Sequence, residues 1–238
     1  MSTPVTVRSS HRPSMELSMI KFARKFGDLG IKGKKAHQYD EFSRTYRTGD
    51  FKEYASLAAQ HVGAGGSVLD VATGPGYFCI ELARLSNLSI TGLDISNDLV
   101  EIARANARTA GIEVDFLEAN ASAMPFPDDV FDFVFCSWSI KNFSEPTKVL
   151  NEMYRVLRRG GTALIVDVNR HAAGQDWRRY SSDRGLKGLT AFSMGLAFRI
   201  QKSGAYSTEQ FEELISATPF HRQDIQSNGI NLHVWLSK

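Results

Sequence analysis

The chain reads as an α/β protein, a mostly parallel sheet with helices on both faces, and three observations predict this. Apolar strand-length runs near 67–72, 89–94, 114–119, 131–137 and 162–168 alternate with helical stretches near 76–86, 97–110 and 145–158. Parallel strands need crossovers of that length, and helices provide them. The end of the chain then breaks the alternation. Asp224–Ser227 and Asn231–Leu236 flank Asn228-Gly229, a dipeptide suited to a tight hairpin, so the sheet should end on an antiparallel strand. With 238 residues the chain can bury one full core and carry a cap over it.

Each element has its own justification. Residues 1 to about 14 are polar, with Pro4 and Pro13, and are expected to be flexible. Met15 to Phe26 spaces Met15, Leu17, Met19, Ile20, Phe22 and Phe26 among basic residues, which predicts a short amphipathic helix. Gly27, Gly30 and Gly33 break that pattern, and Phe51 to His61 reads as a helix leading into the first strand. The division is therefore an arm with cap helices over 1–50 and a main domain over 51–238. Ser96 and Ser144 stand where N-caps belong, and Pro146 fits the first turn after Ser144. Leu150, Met153, Tyr154 and Leu157 mark one buried helix face at i, i+3, i+4, i+7. The segment 171–206 carries Leu186, Leu189, Phe192, Met194, Leu196, Phe198 and Ile200, too apolar for a solvent loop. It should form a helical lid over the carboxyl ends of the strands, where open α/β sheets bind ligands. Ser207-Thr208-Glu209-Gln210 has the pattern of a capping box that opens the last helix.

Composition narrows the function. The net charge of +2 creates no large field for nucleic acid. The basic cluster in the first 35 residues lacks the interleaved aromatics that single-stranded nucleic acids stack on. No run is long enough to span a membrane, and no leader pattern stands near Met1. Cys79 and Cys136 fall in elements expected to be buried, which reads as core thiols in a reducing, cytoplasmic setting. No Cys/His cluster has metal-ligand spacing, so no metal is expected.

The most informative segment is Ser67-Val68-Leu69-Asp70-Val71-Ala72-Thr73-Gly74-Pro75-Gly76, followed by Leu93-Asp94-Ile95. An apolar strand reaches a carboxylate and turns through two glycines into a helix, and the next strand ends on an aspartate. Glycines at such a turn let a ligand approach the backbone, and an aspartate at the second strand's tip can take both hydroxyls of a ribose. An adenosine-containing cofactor follows. A dinucleotide fingerprint wants a small third residue where Cys79 stands, and no Tyr-x-x-x-Lys pair occurs, which disfavours a nicotinamide-dependent oxidoreductase.

Asp70-Val71-Ala72-Thr73-Gly74-Pro75-Gly76 resembles the first motif of class I S-adenosylmethionine-dependent methyltransferases. Met124–Val134 resembles the family's run into its fourth strand, and Glu152–Gly161 the helix and turn before its fifth. Ser139-Ile140-Lys141-Asn142-Phe143 is similar to the post-strand segment of the ubiquinone and menaquinone C-methyltransferases within it. The resemblance covers about Tyr39 to Lys238 and implies a Rossmann-like sheet of seven strands, mostly parallel with an antiparallel terminal hairpin. It implies S-adenosyl-L-methionine as cofactor, held by Tyr39, Asp70, Ala72, Thr73, Gly74, Gly76, Asp94, Ile95, Asn120, Ala121 and Ser137. It departs from the family's habit at Ala72, often glycine, and at Asn120, often aspartate. Asparagine still offers a carbonyl oxygen to an adenine amino group.

The activity implied is methyl transfer to a small, apolar or aromatic acceptor, with no nucleic-acid partner and with a homodimer left open. A cofactor-binding protein with another role, a rearrangement aid or a sensor, is the alternative within the fold. Because the methyl of the sulfonium is already activated, positioning can suffice and a base is optional. His171, just after the fifth strand, is the candidate base. Lys141 and Asn142 follow the fourth strand beside the expected methionine end, with Asn142 a candidate polar contact to substrate; Trp138 is a candidate apolar wall, and Arg179 and Tyr180 are candidates to line the acceptor site.

Overall fold

The computed structural model describes residues 29–238. The helix read over Met15–Phe26 and the flexible start lie outside the described residues. Strands β1 (Ser67–Val71), β2 (Ser89–Asp94), β3 (Asp115–Glu118), β4 (Phe131–Ser137), β5 (Leu157–Val168), β6 (Arg222–Asn228) and β7 (Asn231–Ser237) form one sheet in the order β3-β2-β1-β4-β5-β7-β6. The first five pair in parallel, while β7 runs antiparallel between β5 and β6. Because β1 lies between β2 and β4, the strand order reverses there, and ligand crevices open at such a point beyond the carboxyl ends.

The helices are α1 (Lys34–Tyr46), α2 (Thr48–His61), α3 (Tyr77–Leu85), α4 (Asn97–Ala110), α5 (Pro146–Val156), α6 (Gly174–Asp183), α7 (Gly188–Ser203) and α8 (Thr208–Ser216). Alternation along the strands splits the core between the two faces of the sheet. On β4 and β5, Val134, Cys136, Ala163 and Ile165 pack with α5 and α8, whereas Phe133, Phe135, Leu164 and Val166 pack with α2, α3 and α4. Both cysteines are free and buried.

Three boundaries differ from the sequence reading. Glu145, not Ser144, occupies the N-cap of α5 and makes no side-chain cap; Pro146 in the first turn, whose nitrogen needs no partner, starts this helix. Strand β5 begins at Leu157 rather than near 162, with a bulge that sets Phe131 opposite Leu157 and Phe133 opposite Thr162. In the terminal hairpin Asn228 pairs with Asn231, so Gly229 and Ile230 form the turn, one residue later than the Asn-Gly dipeptide. The Ser96 cap, bonded to Leu99 N at 3.2 Å, and the reciprocal box of Ser207 and Gln210 match their sequence patterns.

Candidate functional site

The carboxyl ends of β1, β2 and β4 open into a cleft of about 1390 Å³, counting the solvent at its mouth, roofed by α1, α6 and α7. Its floor is the turn after β1. Ala72 and Gly74 both adopt positive φ, +58° and +56°, and both line the cleft. A Cβ on Gly74 would point toward the ring of Tyr39, 3.3 Å away, so the glycine keeps open the space between the turn and α1. Tyr39 itself lines the cleft.

Asp94 closes the turn from the side. Its carboxylate accepts the amides of Gly74 and Ser96, each at 2.9 Å, and it still lines the cleft. Burial raises its pKa against the pull of those amides. A carboxylate has about four lone-pair sites, so the group can still accept from a hydroxyl donor in the cleft. Ile95, Asn120 and Ala121 continue this wall. The Asn120 side-chain oxygen also accepts the Ser122 amide at 2.8 Å, which fixes the orientation of the amide group.

The other motif residues stand behind the cleft. Asp70 is 3 % exposed, accepts the Thr73 hydroxyl at 2.6 Å and lies 3.5 Å from the Cys79 thiol. Burial pushes its pKa up to about 7, opposed by those two hydrogen bonds. Thr73 is buried beside it. Gly76 caps α3 at φ +80°, where a Cβ would meet Phe116 at 2.8 Å and Ala103 at 2.9 Å; here glycine serves helix packing. Ser137 is replaced at the cleft by its neighbours Trp138 and Ser139. His171 is exposed, donates its backbone amide to Asn169 and does not line the cleft. Its position after β5 is right in sequence, but the chain turns its residue out before α6 begins.

The remaining wall is apolar and aromatic, with Trp138, Phe143, Trp177, Tyr180, Met194 and Phe198. Trp177 stacks on Phe198 with centroids 5.2 Å apart, which joins α6 to α7. Behind this wall lies a polar cluster that the sequence reading did not find. Arg47 and Asp50, each 1 % exposed, pair at 3.4 Å. Asp50 also accepts the Tyr180 hydroxyl at 3.0 Å and both Nε and Nη2 of Arg184. The Arg47 guanidinium lies 4.1 Å from the Trp138 ring and 4.8 Å from that of Phe51, while its Nη2 is buried without a hydrogen-bond partner. Residues at the ends of α1 and α2 are thus bound to the lid through one carboxylate. An Arg and an Asp three apart resemble any exposed helix pair, so sequence offers no signal for this cluster. Lys141 donates to Gln201, which lines the cleft, and burial lowers its pKa against the pull of Asp167.

A glycine-and-alanine turn that exposes backbone, a carboxylate at the tip of the next strand and an amide side chain beyond it form a donor set that fits an adenosyl amino acid. Among the described residues no group of His, Cys, Asp or Glu is arranged for a metal, and no helix is long and apolar enough to cross a membrane. Residues 69–165 match the family model described as a methyltransferase domain. The demethylmenaquinone methyltransferase of Thermus thermophilus is 41% identical over 101 residues, 42% of this chain and 46% of that protein. The chain thus spans about half the length of this relative. Among solved structures, an S-adenosylmethionine-dependent methyltransferase of Aquifex aeolicus superposes with a TM-score of 0.63 at 20% identity, over 85% of this chain and 96% of that one. The [4+2]-cyclase SpnF superposes with a TM-score of 0.57 at 28% identity, over 75% of this chain and 61% of that one. Residues 69–165 are thus similar in sequence to a methyltransferase domain, and they lie within a seven-stranded, mostly parallel Rossmann-like sheet that the Aquifex aeolicus structure shares.

Proposed function

We propose that the protein is an enzyme that transfers the methyl group of S-adenosyl-L-methionine to a small, apolar or aromatic acceptor. The observation that carries this is a single cleft with two unlike halves. One half presents Gly74, Asp94 and Asn120; the other presents Trp138, Trp177, Tyr180 and Phe198. A polar end suits the nucleoside and an aromatic end suits a flat acceptor ring. The cofactor, when bound, supplies a methyl already activated by sulfonium charge. Asp94 would accept the ribose hydroxyls, Asn120 would face the adenine, and the turn at Ala72–Gly74 with Tyr39 above it would enclose the methionine portion. The aromatic wall would orient the acceptor and keep water out, a contribution that can reach roughly 7 kcal/mol or more of the barrier.

The relative's name points to a quinone-type ring as the acceptor class, and the aromatic wall is compatible with one. Two free, buried thiols agree with a reducing, cytoplasmic setting. His171 has no part in this reading, because its side chain stands outside the cleft wall. The test is to incubate the protein with S-adenosylmethionine and a panel of small hydroquinones and phenols, following S-adenosylhomocysteine release and product mass. Methylated product with stoichiometric S-adenosylhomocysteine is expected. Tight cofactor binding with acceptor conversion but no mass gain would replace methyl transfer by a cyclase-like role. Absence of cofactor binding in calorimetry would sink both.

A further inference from the structure

Helix α7 is apolar on two opposite faces. Met194, Ala197 and Phe198 are buried and line the cleft. Leu189, Phe192 and Leu196 are 59, 72 and 41 % exposed and recur at i, i+3 and i+7, so they form one outward stripe. Large apolar side chains left in water at this spacing mark an interaction face. The stripe is bounded by cations. Lys187 precedes the helix, Arg199 extends the stripe by three residues, and both are exposed. The helix itself, GLTAFSMGLAFRIQKS, contains no acidic residue.

We infer that the outer face of α7 docks on an anionic lipid surface, with Leu189, Phe192 and Leu196 in the headgroup boundary and Lys187 and Arg199 on the lipid phosphates. An interfacial helix combines this apolar stripe with flanking cations. The same charges argue against a second copy as the occupant. A two-fold contact through α7 would face cations with cations and provide no carboxylate from the helix to neutralise them. The consequence is spatial: one face of α7 would touch lipid while the other lines the cleft, which gives an apolar acceptor a short path from bilayer to site. This inference goes beyond methyl transfer, and binding can be measured without cofactor or acceptor, so the two can fail separately.

The experiment is co-sedimentation of the full chain with vesicles of phosphatidylcholine alone or mixed with phosphatidylglycerol. Binding to the anionic vesicles is expected, with much weaker binding to the neutral ones. The combined variant L189S/F192S/L196S should lower the partition coefficient about tenfold or more, with an unchanged melting temperature because these side chains are exposed. K187E/R199E, which leaves the apolar stripe intact, should lower it by a similar factor and flatten the dependence on phosphatidylglycerol. Wild type that stays in the supernatant, or both variants binding as wild type does, would overturn the inference. Sedimentation velocity without lipid adds a third outcome. A wild-type dimer that L189S/F192S/L196S converts to monomer would assign the face to a second copy instead.

Discussion

The behaviour of the site is decided at a few residues whose surroundings, more than their identities, set their chemistry. Asp94 and Asp70 were both legible as acids at strand ends, yet they differ in place: Asp94 lines the cleft, whereas Asp70 is enclosed with Thr73 and Cys79. Replacing Asp94 by Ala should weaken S-adenosylhomocysteine binding by roughly 2 kcal/mol, about thirtyfold, through loss of charge-assisted bonds. Calorimetric titration that shows equal affinity would remove Asp94 from the site. Asp70 predicts a pH effect. Its folded pKa of about 7 lies above the unfolded value of roughly 3.9, so the folded state holds the extra proton between the two. Its stabilising contribution is present below about pH 4 and is lost as pH rises through 7. Asp70→Asn, which cannot titrate and can still accept from Thr73, should therefore gain stability over wild type at pH 8 relative to pH 5. A pH-independent difference in denaturant midpoint would contradict the burial argument. His171→Ala should leave turnover unchanged at every pH, since the residue is exposed beyond the cleft; a loss of turnover at low pH would restore it as a base.

Elements were legible wherever period and turn chemistry agreed. The alternation of strands and crossover helices, the Ser96 cap and the terminal hairpin all follow from local pattern. The early start of β5 does not, because Arg158-Arg159-Gly160-Gly161 carries no strand signal and lies in the bulge between the paired residues Leu157 and Thr162, tied by the Gly160 amide to the Lys238 carbonyl. Nor could sequence show what holds α6 in place. Ser181, 9 % exposed, is the one residue of the helix that counts as buried, and the helix relies on contacts made by a few side chains such as Trp177 and Tyr180. Asp50 of α2 is the shared partner of Arg47 in the turn between α1 and α2, of Tyr180 in α6 and of Arg184 just past the end of α6. Asp50→Ala would strand Arg47, a buried cation that already lacks a partner at Nη2. A loss of about 3–5 kcal/mol is expected, the usual result of breaking a buried pair from one side. Asp50→Ala with Arg47→Met should recover much of it, because the uncompensated charge is gone. Additive losses in this double-mutant cycle would show that the pair is not coupled.

At the scale of the whole molecule, the cleft has a rigid side and a roof. The floor belongs to the seven-stranded sheet and its two buried clusters, while the roof comes from α1, α6 and α7, whose packing residues form small separate clusters. The sequence placed an apolar segment after β5 over the binding edge, and the structure puts Trp177, Tyr180, Met194 and Phe198 there. What it could not show is that both parts of the roof share an anchor, since Asp50 and Arg184 lie 134 positions apart. This predicts coupled ordering. S-adenosylhomocysteine at about a hundred times its dissociation constant should raise stability by roughly 2.7 kcal/mol. For a chain of this size that corresponds to a melting shift of about 5–10 °C. Hydrogen exchange should slow over 34–46, where Tyr39 lines the cleft. It should also slow over 174–203, because the shared carboxylate transmits the ordering to the lid. Arg184→Met removes two of the donors on Asp50 while Tyr180 and Arg47 remain, so the fold should survive and the first segment should still respond. Protection of 174–203 should then fall back toward the ligand-free rate. If the variant protects both segments as wild type does, the lid closes on the ligand directly and the buried cluster is only structural.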